Sequence, residues 1–125
     1  MEICLVKKTL IAGASPNTER YAFKAACMLQ QYGHDFIPVG IKKGEVLGKH
    51  ILNEWPENIE DLDTVTLYIG QEHQKPLYEK ILLLKPRRII FNPGTENPEL
   101  AEMAEKAGIR AENACTLVLL STGQY

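Results

Sequence analysis

Long apolar runs are missing from this chain. No stretch of its 125 residues approaches the roughly 18 apolar residues that a membrane-spanning helix needs. The opening Met1-Glu2-Ile3-Cys4-Leu5-Val6 is too short for a secretory leader. Cysteine is scarce as well. Cys4, Cys27 and Cys115 are odd in number and widely spaced, and no C-x-x-C pair occurs, which speaks against a disulfide framework or a thiolate zinc site. The expected setting is therefore a reducing one, the cytoplasm. His34, His50 and His73 share no ligand spacing, so no metal centre is expected and an ordinary loop or surface role is the plain reading. No sign of charge dominates either: 14 basic against 16 acidic residues leave a formal net charge of −2. That balance gives no general attraction to nucleic acid or membranes, and any anion site must be local.

What remains is an ordinary globular composition, 45% hydrophobic and 24% charged. One domain spanning residues 1–125 is expected, with enough chain to bury a core unaided. Short β-type runs alternate along it with helical patterns. Thr9-Leu10-Ile11-Ala12 reads as the first strand, ended by Gly13. From Arg20 the period becomes helical, with Tyr21, Ala25, Met28 and Tyr32 on one face, Ala22, Ala26 and Leu29 beside them, and Gly33 as the stop. Asp35-Phe36-Ile37-Pro38-Val39 is the second strand, residues 40–62 look like a long excursion with little regular structure, and Thr64-Val65-Thr66-Leu67-Tyr68-Ile69 is a doubly buried third strand. A helix from about Gln74 should bury Leu77, Ile81 and Leu84. Arg88-Ile89-Ile90-Phe91 is the fourth strand, and Asn97-Pro98 the cap and first turn of the next helix. A short strand near Ile109 and a short helix in the apolar tail complete the pattern. Cys115, at the start of that helix, is either a reactive thiol or a buried filler.

Such alternation implies right-handed crossovers and an α/β fold: a doubly wound, mainly parallel five-stranded sheet with helices on both faces. Ligands of these sheets bind at the carboxyl ends of the strands. Three loops should then meet in one crevice: residues 13–20, residues 40–43 and residues 92–97. The first contains "GASPNTER" and lacks the G-x-G-x-x-G pattern of dinucleotide folds. Even so, Gly13 allows a sharp turn, Ala14 allows close approach, Ser15 offers a hydroxyl, and Asn17 or Thr18 can cap the helix. Free N–H groups at a helix start favour an anion, and Arg20 brings a planar fork suited to phosphate, with Lys24 one turn on. The bland alternative is a strand-to-helix turn with solvated charges. The second loop carries Lys42 and Lys43 and no carboxylate before Glu45. That pair suits a phosphorylated ribose, as in NADP or coenzyme A, better than the free diol of NAD.

In combination, "GASPNTER" after the first strand, "IPVG" at the end of the second and "IFNPGTENPE" after the fourth resemble the stand-alone CoA-binding domain proteins. They also resemble the nucleotide-binding domain of succinyl-CoA synthetase α subunits. The resemblance runs over nearly the whole chain. It departs at Phe91-Asn92, where an aromatic followed by Gln is usual. It implies coenzyme A or an acyl-CoA as ligand, with contacts from Gly13, Ala14, Ser15, Arg20, Val39 and Lys42. Ile69 and Asn92 would line the adenine and pantetheine side. It implies non-catalytic binding; the alternative is an NADP-dependent or CoA-transferring enzyme using the same crevice. The partner is then a small molecule, with no nucleic acid and no membrane, and a homodimer or a partner enzyme subunit stays open.

Overall fold

The computed structural model describes residues 6–125, so Cys4 lies outside the described residues. Among them, five strands form one parallel sheet: β1 (Thr9–Ala12), β2 (Phe36–Val39), β5 (Thr64–Leu67), β6 (Arg88–Phe91) and β7 (Arg110–Asn113). Two more, β3 (Glu45–Val46) and β4 (Lys49–His50), make a small hairpin inside the excursion read as irregular. Leu47 at φ 51° and Gly48 at φ 84° supply its two-residue turn. The excursion is thereby anchored, because Val46 and Ile51 beside the hairpin are buried.

The sheet order is β2-β1-β5-β6-β7, all neighbours parallel. The chain winds outward from β1 to β2, then crosses back over β1 to β5 and on. Winding therefore reverses between β1 and β5, and the crevice of such a sheet opens at that boundary.

Side chains leave the strands alternately, and each face meets its own helices. Leu10 and Ala12 of β1 join Val65, Leu67, Ile89 and Phe91 in one core. That core is closed by α2 (Tyr78–Leu83) and α3 (Pro98–Lys106). Ile11 faces the other way, into a second core with Ala22, Ala26 and Leu29 of α1 (Tyr21–Gln31) and Leu120 of α4 (Thr116–Ser121). The buried stripe of α1 is thus Ala22, Ala25, Ala26 and Leu29. Of the face read through Tyr21, Ala25, Met28 and Tyr32, Ala25 is buried, whereas Tyr21 and Tyr32 are 67% and 47% exposed. Small side chains let α1 lie close against the sheet, and the large rings are turned out. α1 ends as its Gly33 promised, with Gly33 N–H on Gln30 O at 3.1 Å and His34 N–H on Leu29 O at 2.8 Å.

The helix expected from Gln74 begins later. Two 3₁₀ turns, Gln71–His73 and Lys75–Leu77, precede α2. Pro76 lacks the N–H that a continuous helix would use, and the residue before a proline avoids α geometry. Gln74 is fully buried between these turns. Its Nε2 donates to Ile69 O at 2.8 Å and Thr95 O at 2.9 Å, and its Oε1 accepts from Asn97 Nδ2 at 2.9 Å. Asn97 also donates to the Tyr78 hydroxyl at 2.8 Å and accepts the Leu100 N–H at 3.2 Å. The sequence reading of Asn97 as N-cap with Pro98 following it holds. Its side chain does more than cap, since it joins α2, α3 and the loop after β5.

Asn97→Ala should therefore cost more than a simple cap loss. It removes the cap and strands Gln74 Oε1 and the Tyr78 hydroxyl without a partner. We expect about 2–3 kcal/mol of destabilisation in urea unfolding, with the folded spectrum unchanged.

Candidate functional site

The carboxyl ends of β1, β2 and β5 are fastened main chain to main chain. Gly13 N–H and Ala14 N–H both donate to Val39 O, at 2.8 and 3.0 Å, and Tyr68 N–H donates to Ala12 O at 2.8 Å. Only glycine fits two of these places. At Gly13, φ is 93° and an added Cβ would lie 2.8 Å from Tyr68 O. At Gly40 it would lie 2.8 Å from Ala14 O and 3.1 Å from Ala14 N. Three strand ends thus converge as bare backbone, and a cavity opens over them.

The turn into α1 holds itself together. Ser15 Oγ accepts the Asn17 N–H at 3.1 Å, Asn17 Oδ1 accepts the Glu19 N–H at 2.9 Å, and Asn17 O accepts the Arg20 N–H at 3.1 Å. Neither Asn17 nor Thr18 caps the helix. The N-cap is Arg20, which supplies no side-chain acceptor, and the first turn contains no acidic residue. The first turn of α1 therefore has neither a side-chain cap nor an acid of its own, with Glu19 exposed just before the N-cap. Arg20, Tyr21 and Ala22 at that end all line the cavity.

The cavity measures about 670 Å³. Of the residues expected in the site, Gly13, Ala14, Ser15 and Arg20 line it from the first loop, Val39 from the end of β2, Lys42 from the second loop, and Ile69 from the segment after β5. Three others lie outside its lining. Lys24 Nζ sits 5.3 Å above the Tyr21 ring. Lys43 is exposed on the loop beyond Lys42. Asn92 is 2% exposed and its amide is fully engaged: Nδ2 donates to Thr66 Oγ1 at 2.7 Å and Leu67 O at 2.8 Å, while Oδ1 accepts the Thr116 N–H at 2.9 Å. Asn92 ties β5, β6 and α4 together. Cys115, the N-cap of α4, is half-buried and also lies outside the lining.

The third wall differs from expectation. The 92–97 loop does not reach the cavity; the segment after β5 does, through Tyr68, Ile69 and Gly70, with His73 and Leu77 from the two 3₁₀ turns. The strand order explains this, since β5 is next to β1 and β6 is one strand further away. Trp55, from the excursion, closes the same side. Burial pushes the Tyr68 hydroxyl well above its ordinary range, so at neutral pH it is an uncharged wall.

Among the described residues the cavity-lining cations are Arg20, Lys42 and Lys80, with His73 beside them, and no aspartate or glutamate lines it. In a chain of net charge −2 that is a local concentration of positive charge. No group of three His, Cys, Asp or Glu side chains able to hold a metal ion occurs among the described residues.

A family model described as "CoA binding domain" matches residues 7–121. A crystal structure of an uncharacterized protein is similar at 59% identity and a TM-score of 0.95, covering 97% of this chain and 99% of that one. A hypothetical protein from Pyrococcus horikoshii OT3 is similar at 28% identity, with a TM-score of 0.83 over 94% of this chain and 83% of that one. A protein from Thermus thermophilus shares the fold at 20% identity, with a TM-score of 0.84 over 96% and 91% of the two chains. No curated protein matches by sequence.

Gly40→Ala tests the backbone contact directly, because its new Cβ meets main chain that has nowhere to go. We expect a loss of about 1–3 kcal/mol in denaturant unfolding, of the kind seen for overpacking. A neutral result would mean that β1 and β2 separate freely at this point.

Proposed function

The chain belongs to the CoA binding domain family, and from that premise we propose that this crevice binds coenzyme A or an acyl-CoA. The observation that carries the reading is a cavity lining that holds cations and no carboxylate, next to a start of α1 that has no side-chain cap. A pyrophosphate seated there meets N–H groups, the helix dipole and the Arg20 guanidinium together. Lys42, at the end of β2, then faces the phosphorylated ribose. A free ribose diol would instead call for an acid at this place, and none lines the cavity among the described residues. The pantetheine arm follows the remaining wall, where Ile69, Leu77 and Trp55 offer apolar surface.

The reading is of binding without turnover. Ser15 Oγ is engaged with the turn, and the nearest hydrogen-bonded group is the Asn17 amide, not a base. Among the described residues no helix is long and apolar enough to cross a membrane, and the ligand proposed is a small molecule.

Thermal shift with CoA, acetyl-CoA, NADP and NAD tests the proposal. A ligand at a hundred times its Kd stabilises the fold by about 2.7 kcal/mol, enough to read clearly. Stabilisation by CoA or acetyl-CoA above both dinucleotides is expected; a larger shift with NADP would return the site to the dinucleotide class.

Calorimetric titration separates the cations. Arg20→Ala should weaken CoA binding by about 1.5–3 kcal/mol, and Lys24→Ala by much less, since only Arg20 lines the cavity. Unchanged affinity in the Arg20 variant would remove the phosphate from the first loop. CoA should also bind about tenfold tighter than dephospho-CoA, which lacks the ribose 3′-phosphate. Lys42→Ala should erase most of that preference and Lys43→Ala little of it. Higher salt should narrow it too, because Lys42 is exposed.

A further inference from the structure

The turn that carries Lys42 has almost nothing of its own to hold it. It leaves β2 at Gly40, whose N–H donates to Leu52 O at 3.0 Å, and it is caught again where Gly44 O accepts the Ile51 N–H at 2.9 Å. Between these points, among the described residues, the main chain of residues 41–43 makes a single hydrogen bond. Ile41 at its tip is 93% exposed, so no side-chain packing fixes it either. That one bond comes from Asn53. Its Nδ2 donates to Lys42 O at 2.8 Å and to Gly40 O at 2.7 Å. Both partners are carbonyls, so only the NH₂ end of the amide can serve, and both of its hydrogens are used.

We propose that Asn53 is a positioning residue for the ligand's phosphorylated ribose, acting through Lys42. The inference rests on the reading of the crevice as a CoA site. The amide pins the carbonyl on each side of Ile41, so the Lys42 backbone has one conformation before any ligand arrives. A lysine is a long, flexible point charge whose contribution depends on where its stem begins. With the clip intact, the ordering of the turn is complete on folding. Without it, the ligand must order residues 41–43 itself, and the affinity gained from the phosphate shrinks. Asn53 itself lines the cavity, so action through Lys42 is distinguished from a direct ligand contact by confinement of the effect to ligands that carry the group Lys42 meets.

The experiment is calorimetric titration of CoA and dephospho-CoA into the unmodified protein, Asn53→Ala, Lys42→Ala and the double variant, with each thermal midpoint as the control for folding. Asn53→Ala should weaken CoA about fivefold and change dephospho-CoA by less than about twofold. The double variant should bind CoA no worse than Lys42→Ala does, because the clip acts only through that side chain. Asn53→Ser, which keeps one donor, should fall between the unmodified protein and Asn53→Ala. It also serves if the alanine variant unfolds. Equal losses for both ligands, additive losses in the double variant, or an unchanged CoA affinity in Asn53→Ala would each overturn the proposal. Failure of the unmodified protein to bind CoA is a separate result, which overturns the reading of the crevice and this inference with it.

Discussion

Everything at the crevice depends on the close approach of three strand ends without side chains between them. Val39 O accepts two N–H groups, from Gly13 and Ala14, and Gly40 lies against the Ala14 main chain at a distance that admits no Cβ. This contact sets the width of the cavity floor. It also fixes the direction in which the chain leaves β1, and so the direction of α1, whose amino end, without a side-chain cap, forms one wall. The site is therefore made by backbone first, and the charged side chains are additions to its rim.

The opposite decision is taken one strand further on. The end of β6 is filled, not open: Asn92 spends its whole amide on β5 and α4, and Thr66 and Thr116 share a 2.7 Å hydrogen bond beside it. The Gln74–Asn97–Tyr78 set seals the next layer. Buried amides with every donor and acceptor matched are rigid and specific, and a half-matched set would be worse than an apolar core. The same residue types that look like ligand contacts in a sequence act here as internal fasteners. They define the edge at which the cavity stops.

The fold was legible because its signals are redundant: four short apolar β-type runs, helices of period 3.6 and a cap or breaker at nearly every boundary. The α/β class, the parallel sheet, the Asn97 cap and the short final helix all follow from that redundancy. Finer choices did not. On α1 the stripe through Tyr21 and Tyr32 and the stripe through Ala22 and Ala26 are neighbours on the helical wheel, and hydrophobicity alone favours the rings. Packing distance favours the alanines. The third wall was missed for a topological reason, since strand order is not written in periodicity. A signal was present, however: Ala12-Gly13, Val39-Gly40 and Ile69-Gly70 each close an apolar β-type run of the sequence with glycine, and Phe91-Asn92 does not. The three glycines, with Val39 and Ile69, line the cavity. Asn53 carried no such signal, because its partners are main-chain carbonyls brought close only by the hairpin between them.

The lack of carboxylates along the cavity, among the described residues, has a consequence for what the crevice turns away. Nucleoside triphosphates travel with magnesium, and sites that keep them supply one or two carboxylates for the ion as well as contacts for the phosphates. Here every fixed full charge on the wall is of the same sign as the metal. A chelated triphosphate would bring a hydrated dication against Arg20 and Lys42, to be stripped or repelled, and neither is cheap. A metal-free diphosphate arrives without that escort. On the proposed CoA reading, the crevice would favour a metal-free diphosphate, and metal-bound nucleotides would be poor competitors for it.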